Sequence, residues 1–180
     1  TVSRTVRAAG DRVCRMGHTR GARYALRRRI RGLPHRLPVS QVDERGRLTT
    51  IGHLNPLADG SYWLEREGRR GLLFEGLPPF VADMQPQGYL GSGFARQHPD
   101  LDLPDRLQDW NDDHRLIAVA RRGEDAVGNL VVGDESLERL WREREDGITP
   151  IPDDRYPELA RSAAERPVGS SLAGEGPKFL

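Results

Sequence analysis

The sequence predicts an α+β fold, and three observations predict it. Short runs of alternating apolar residues come in pairs joined by polar, glycine-containing turns, the pattern of antiparallel hairpins. Longer runs with apolar residues three and four apart follow them, the pattern of amphipathic helices. Charge is also divided: residues 1–36 carry 11 arginines against the single acid Asp11, whereas the remainder holds 17 basic and 26 acidic residues. A split that sharp assigns different tasks to the two parts, since the basic one attracts a polyanion and the acidic one repels it.

Taken in order, Thr1 to Ala9 places Val2, Val6 and Ala9 on one helical face and Ser3, Arg4 and Arg7 on the other, with Gly10 set to end the helix. Arg12 to Met16 reads as a strand, His18 to Gly21 as a turn, and Ala22 to Arg27 as a second strand with Ala22, Tyr24 and Leu26 opposed to Arg23 and Arg27. A helix followed by a basic-tipped hairpin is the second half of a winged helix-turn-helix, whose helix enters the major groove while wing arginines meet phosphates. On that reading Ser3, Arg4, Arg7, Arg20, Arg23, Arg27 and Arg28 contact DNA, and the earlier helices of the motif are expected outside this sequence. The alternative is a surface hairpin whose charge serves solubility alone.

Leu33-Pro-His-Arg-Leu-Pro38 places a boundary after residues 1–36, the partial winged helix. Strands are expected at Val39–Val42 and Leu48–Ile51 around a turn containing Gly46, and at Tyr62–Arg66 and Leu72–Glu75 around Glu67-Gly-Arg-Arg70. Helices are expected over Pro79–Met84, Tyr89–Gln97, Asp112–Arg121 and Glu135–Glu143. Leu116, Val119 and Ala120 form one core stripe, and Leu137, Leu140 and Trp141 another. Residues 37–143 thus make the α+β region. The polar, proline-containing stretch from Arg142 to Asp154 is a linker, and Tyr156–Glu165 is a last helix within the segment 144–180.

Hydrophobic residues make up 36% of the chain and glycine contributes 20 positions, enough for a globular core. No apolar run reaches membrane-spanning length, and no signal peptide is read, so the cytoplasm is the expected compartment and no membrane partner is expected. Cys14, the single cysteine, cannot form an internal disulfide. His18, His35, His53, His98 and His114 are too dispersed for a local zinc site, and no metal ligands are assigned. Asp109-Trp-Asn-Asp-Asp113 is acidic enough to attract a cation, but Asp112 and Asp113 suit a helix N-terminus better. Gly169-Ser-Ser-Leu-Ala173 departs from a nucleophile elbow in its last residue.

The segment Gly169-Ser-Ser-Leu-Ala-Gly-Glu-Gly-Pro-Lys-Phe-Leu180 is glycine-rich and holds Lys178, the only lysine among 28 basic residues. Such a loop lets backbone N–H groups approach phosphate while the lysine supplies charge. It resembles the phosphate loop of the HipA-like Ser/Thr kinases of bacterial toxin–antitoxin systems. Phe74-Glu-Gly-Leu-Pro-Pro-Phe-Val-Ala-Asp-Met-Gln-Pro-Gln-Gly-Tyr-Leu-Gly91 is similar to that family's strand-to-helix segment, and Arg122-Gly-Glu-Asp-Ala-Val-Gly-Asn-Leu-Val-Val132 to its charged turn and glycine-initiated strand. The resemblance covers about residues 45–140 and is greatest to the YjjJ-type branch, in which a winged helix is fused ahead of the kinase part.

That resemblance implies a HipA N-terminal-type subdomain over 37–143 and the start of a kinase phosphate loop within 144–180. It implies that Ala173, Gly174, Glu175, Gly176, Pro177 and Lys178 cover the phosphates of ATP and that Ser171 is autophosphorylated; Gly176 departs from the Gln that many relatives carry. The catalytic Asp and the Mg²⁺ ligands of the family lie further downstream, and no catalytic residue is carried over. The implied protein is the N-terminal part of a serine/threonine kinase toxin using ATP and Mg²⁺, with DNA, an antitoxin and a translation-related protein as partners. The alternatives are a non-catalytic DNA-binding or antitoxin-like regulatory module and an inactive truncated product. Residues 167–180 are expected to be disordered without nucleotide, because little apolar surface offsets the cost of ordering them.

Overall fold

The computed structural model describes residues 9–17, 21–146 and 152–165. The chain divides into two compact units, up to Pro79 and from Phe80. Together they form the mixed α+β architecture expected from the sequence.

The first unit holds two antiparallel arrays. Strands β1 (Val13–Met16) and β2 (Arg23–Leu26) form a hairpin in which Cys14 faces Ala25 and Arg15 faces Tyr24. Strands β3 (Leu37–Val42), β4 (Leu48–Pro56), β5 (Tyr62–Arg66) and β6 (Leu72–Phe74) pair in sequence order as an antiparallel meander. The first turn of the meander is fixed by Asp43, whose Oδ1 accepts from the N–H groups of Arg45 and Arg47 at 2.9 and 2.8 Å, and by Gly46 at φ 73°. Leu37 and Leu54 sit opposite each other, as do Leu54 and Leu64, and with Val39, Leu57 and Tyr62 they form the buried side of the sheet. Gly52 is required where β4 meets β5, because a Cβ there would lie 2.2 Å from the Glu65 carbonyl oxygen.

The second unit contains helices α1 (Pro79–Met84), α2 (Gly88–Gly91), α3 (Phe94–Gln97), α4 (Asp112–Arg122), α5 (Asp134–Asp146) and α6 (Tyr156–Glu165), with strand β7 (Leu130–Val132) before α5. Helix α4 starts in a reciprocal cap: the Asn111 side chain accepts from the His114 N–H at 3.0 Å and the Asn111 N–H donates to His114 Nδ1 at 3.2 Å. Asp112 and Asp113 fall in its first turn, as the capping reading requires. Its buried residues run from Leu116 to Ala120.

The structure settles which face of β2 is buried and corrects three expectations. The alternation in β2 is real, but Tyr24 and Leu26 are 45% and 60% exposed while Cys14, on the opposite face of the hairpin, is 1% exposed. A strand buries whichever face its partners hold, and here Arg27 anchors the Cys14–Ala25 face inward. The single helix expected over Tyr89–Gln97 is two short helices, broken around Ser92 and Gly93. The stripe of Leu137, Leu140 and Trp141 is not core: the leucines are half-buried, Trp141 is 47% exposed, and α5 buries Ser136 instead. The stretch from Arg142 to Asp146, expected as linker, continues α5, with Arg142 paired to Glu138 one turn earlier.

Candidate nucleic-acid interface

The basic hairpin is placed by one arginine. Arg27, just past β2, donates from Nε to Asn55 Oδ1 at 2.9 Å and from Nη1 to the carbonyls of Asp11 and Val13 at 2.8 and 2.9 Å. Asn55 is fully buried, and its amide donates in turn to the carbonyls of His53 and Trp63. Backbone bonds from Arg28 N–H to the Pro56 carbonyl and from Ala58 N–H to the Leu26 carbonyl complete the joint between β2 and the end of β4. Arg28 is also turned inward: it donates to the Tyr62 hydroxyl at 2.9 Å and lies 5.4 Å from the centre of that ring.

With the hairpin held there, a groove of about 1090 Å³ opens between it and the β5–β6 hairpin. Arg15 and Arg23 come from one rim and Arg66, Arg69 and Arg70 from the other, over a floor that includes Trp63, Leu72 and Leu73. Glu65 is the acid in the lining, and Arg36 pairs with it at 3.1 Å, so the groove is strongly cationic. Arg66 holds the 67–70 turn by donating from Nε and Nη2 to the Arg70 carbonyl. Gly68, at φ 63°, lets that turn close, and Gly71 lies so near the indole that a Cβ would sit 2.2 Å from Trp63 Cζ2. Arg69 and Arg70 are exposed and, among the described residues, form no ion pair.

The sequence-predicted DNA residues therefore separate. Arg23 lines the groove, whereas the guanidinium groups of Arg27 and Arg28 are engaged within the fold. Ser3, Arg4, Arg7 and Arg20 lie outside the described residues, as do Ser171 and the whole ATP-binding set from Ala173 to Lys178. The expected helix over 1–9 and the expected disorder of 167–180 also fall almost wholly outside them. Sequence reasoning passed over Arg66, Arg69 and Arg70. Their signal was the basic Gly-Arg-Arg turn, which reads as a hairpin turn until the fold sets it beside β1 and β2.

Cys14 sits on the buried face of the hairpin, and burial pushes its thiol pKa up, with the Arg27 charge opposing in part. Among the described residues no helix is long and apolar enough to cross a membrane, and no cluster of His, Cys, Asp and Glu is arranged to hold a metal ion.

Comparison with known proteins places these features in a family. No solved structure matches the chain. Toxin YjjJ of Escherichia coli (strain K12) is 34% identical over 184 residues, which cover 99% of this chain and 41% of that protein. The chain thus spans about two fifths of the length of this curated relative. The profile of the YjjJ-like toxin middle domain matches residues 33–141, a span that takes in β3 to β7 and most of α5. The chain belongs to the YjjJ-like toxin family.

Proposed function

We infer that the chain is the DNA-contacting and middle part of a toxin of the HipA-like Ser/Thr kinase type. The observation that carries this reading is the match over 99% of the chain to a protein named as a toxin, along a sequence that ends in a lysine-bearing glycine-rich loop. In the proposed full-length kinase, Ala173, Gly174, Glu175, Gly176, Pro177 and Lys178 cover the ATP phosphates, and residues elsewhere hold Mg²⁺ and orient the acceptor hydroxyl. Autophosphorylation of Ser171 adds roughly −1.5 to −2 charge beside that loop and repels the nucleotide, which shuts the kinase down. An antitoxin, a translation-related protein substrate and a cytoplasmic location belong to the same proposal.

The DNA-binding half of the reading rests on the charge of residues 1–36 and is tested on the chain itself. Binding to a labelled duplex should weaken with salt, log affinity falling by about 0.9 per decade for each phosphate neutralised. Replacing Arg4, Arg7, Arg20 and Arg23 with Gln should flatten that slope; undetectable binding at about 50 mM salt rejects the DNA role. The kinase half is tested in the full-length protein with labelled ATP. Lys178→Ala should abolish transfer, and Ser171→Asp should lower ATP affinity; labelling that survives Lys178→Ala removes the assignment of the loop.

A further inference from the structure

The geometry points to a second phosphate-contacting site that extends beyond the basic third of the sequence: the groove between the β1–β2 and β5–β6 hairpins, in which Arg69 and Arg70, presented by Arg66, line one rim and Arg15 and Arg23 the other, and take one strand of the DNA backbone. The inference deepens the reading that residues 1–36 contact DNA and rests on it. The overall charge of residues 37–180 gives no hint of it, because 26 acids outnumber 17 basic residues there.

Charge complementarity identifies the occupant. The lining carries Arg15, Arg23, Arg66, Arg69 and Arg70 against Glu65, whose carboxylate is already paired with Arg36. Like charges gathered this closely repel one another, and a polyanion relieves the repulsion while releasing its own counterions. The rims also include Gly17, Gly21 and Gly68, where the missing side chains let a sugar–phosphate strand approach the backbone. Guanidinium forks suit phosphate oxygens, which accept two parallel N–H donors. Arg66 has a positioning role, since its donors are used on the Arg70 carbonyl and set the turn that presents Arg69 and Arg70. One rim is the hairpin that carries the proposed wing, so the groove and the proposed wing share an element.

The test compares variants of the full chain by fluorescence anisotropy on a labelled duplex, titrated from about 50 to about 200 mM salt. The double substitution Arg69→Gln, Arg70→Gln removes two exposed side chains whose loss leaves the fold intact, which thermal melting verifies. It should reduce the log–log salt slope by about 1.8, two contacts at 0.9 each, whereas Arg96→Gln with Arg106→Gln, an equal charge change in the second unit, should leave it unaltered. A fall of the same size with Arg96→Gln and Arg106→Gln reduces the effect to net charge and overturns the site. If Arg69→Gln, Arg70→Gln leaves the slope unchanged while Arg4→Gln, Arg7→Gln, Arg20→Gln lowers it, the groove is rejected and the DNA reading of residues 1–36 stands. If the unaltered chain binds no DNA, both fall together. Polyglutamate binding lost in Arg69→Gln, Arg70→Gln with DNA binding intact assigns the groove to an acidic protein partner and also overturns the proposal.

Discussion

Ser136 uses one hydroxyl twice. Fully buried at the start of α5, it donates to the Val119 carbonyl at 2.9 Å and accepts from the Gly123 N–H at 2.8 Å, closing the C-terminal end of α4. Gly123 is needed at that point because a Cβ would lie 2.2 Å from the Val119 carbonyl oxygen. Ser136→Ala leaves a buried donor and a buried acceptor unpaired and should cost about 1–3 kcal/mol, read as a lower denaturant midpoint with an unchanged slope. A loss below about 0.5 kcal/mol would show that water or a shift of the backbone replaces the hydroxyl. Cys14 poses the opposite case at the same scale. Its thiol is 1% exposed and its pKa is raised by burial, so little thiolate forms at neutral pH. The native chain should resist alkylation that the denatured chain undergoes readily; equal rates would mean that the β1–β2 hairpin opens freely.

At the scale of elements, the hairpin β1–β2 depends on Arg27 for its place. Charged hydrogen bonds of this kind contribute about 1.5–3 kcal/mol, and Arg27→Ala also strands the buried Asn55 carbonyl oxygen, so destabilisation of at least that size is expected. Arg27→Lys should recover only part of it, because a single ammonium cannot serve Asn55, Asp11 and Val13 in a planar fork. Amide exchange on β1 and β2 should accelerate more than on β4 in both variants; uniform acceleration would contradict a local role. This joint explains what the sequence hid. The hairpins of the first unit were legible because alternation and turn glycines are local, and Asp112, Asp113 and the apolar run of α4 were legible because helix starts and helical stripes are local too. Which face of β2 is buried was not, since a contact between Arg27 and Asn55 decides it. The candidate groove was half legible for the same reason: Arg23 stood out within a basic run, but Arg69 and Arg70 gain their meaning only from strands far away in sequence. The phosphate loop is an expectation from family resemblance alone and lies outside the described residues.

At the scale of the whole molecule, a formal net charge of +1 is the residue of two large opposed charges, and stability and binding respond to different parts of it. The proposed DNA binding answers to the arginines of the first unit. Stability answers to groups whose ionisation the fold alters, and besides Cys14 three of these, Glu124, Glu143 and His98, lie in the second unit. Burial raises the pKa of Glu124, whose Oε2 has no hydrogen-bond partner among the described residues and whose Oε1 stands 4.0 Å from Arg139; burial, and then Asp125, raises that of Glu143. A carboxyl with a raised folded-state pKa stabilises the fold below its unfolded value, and that contribution is lost as pH climbs through the folded value. His98 behaves oppositely. Burial, and then Arg122, depresses its pKa, so its contribution is present above about pH 6.5, the ordinary histidine value, and is lost as pH falls through the depressed one. Glu124→Gln with Glu143→Gln should therefore match the unaltered chain near pH 4 and exceed it in melting temperature by pH 8, because the substituted amides need not ionise inside the fold. His98→Gln should reverse the order, gaining on the unaltered chain only under acid conditions. Melting curves taken across pH 4–8 decide between this account and one in which the ion pair of Glu124 with Arg139 outweighs its burial: in that case the glutamate variant loses stability as pH rises.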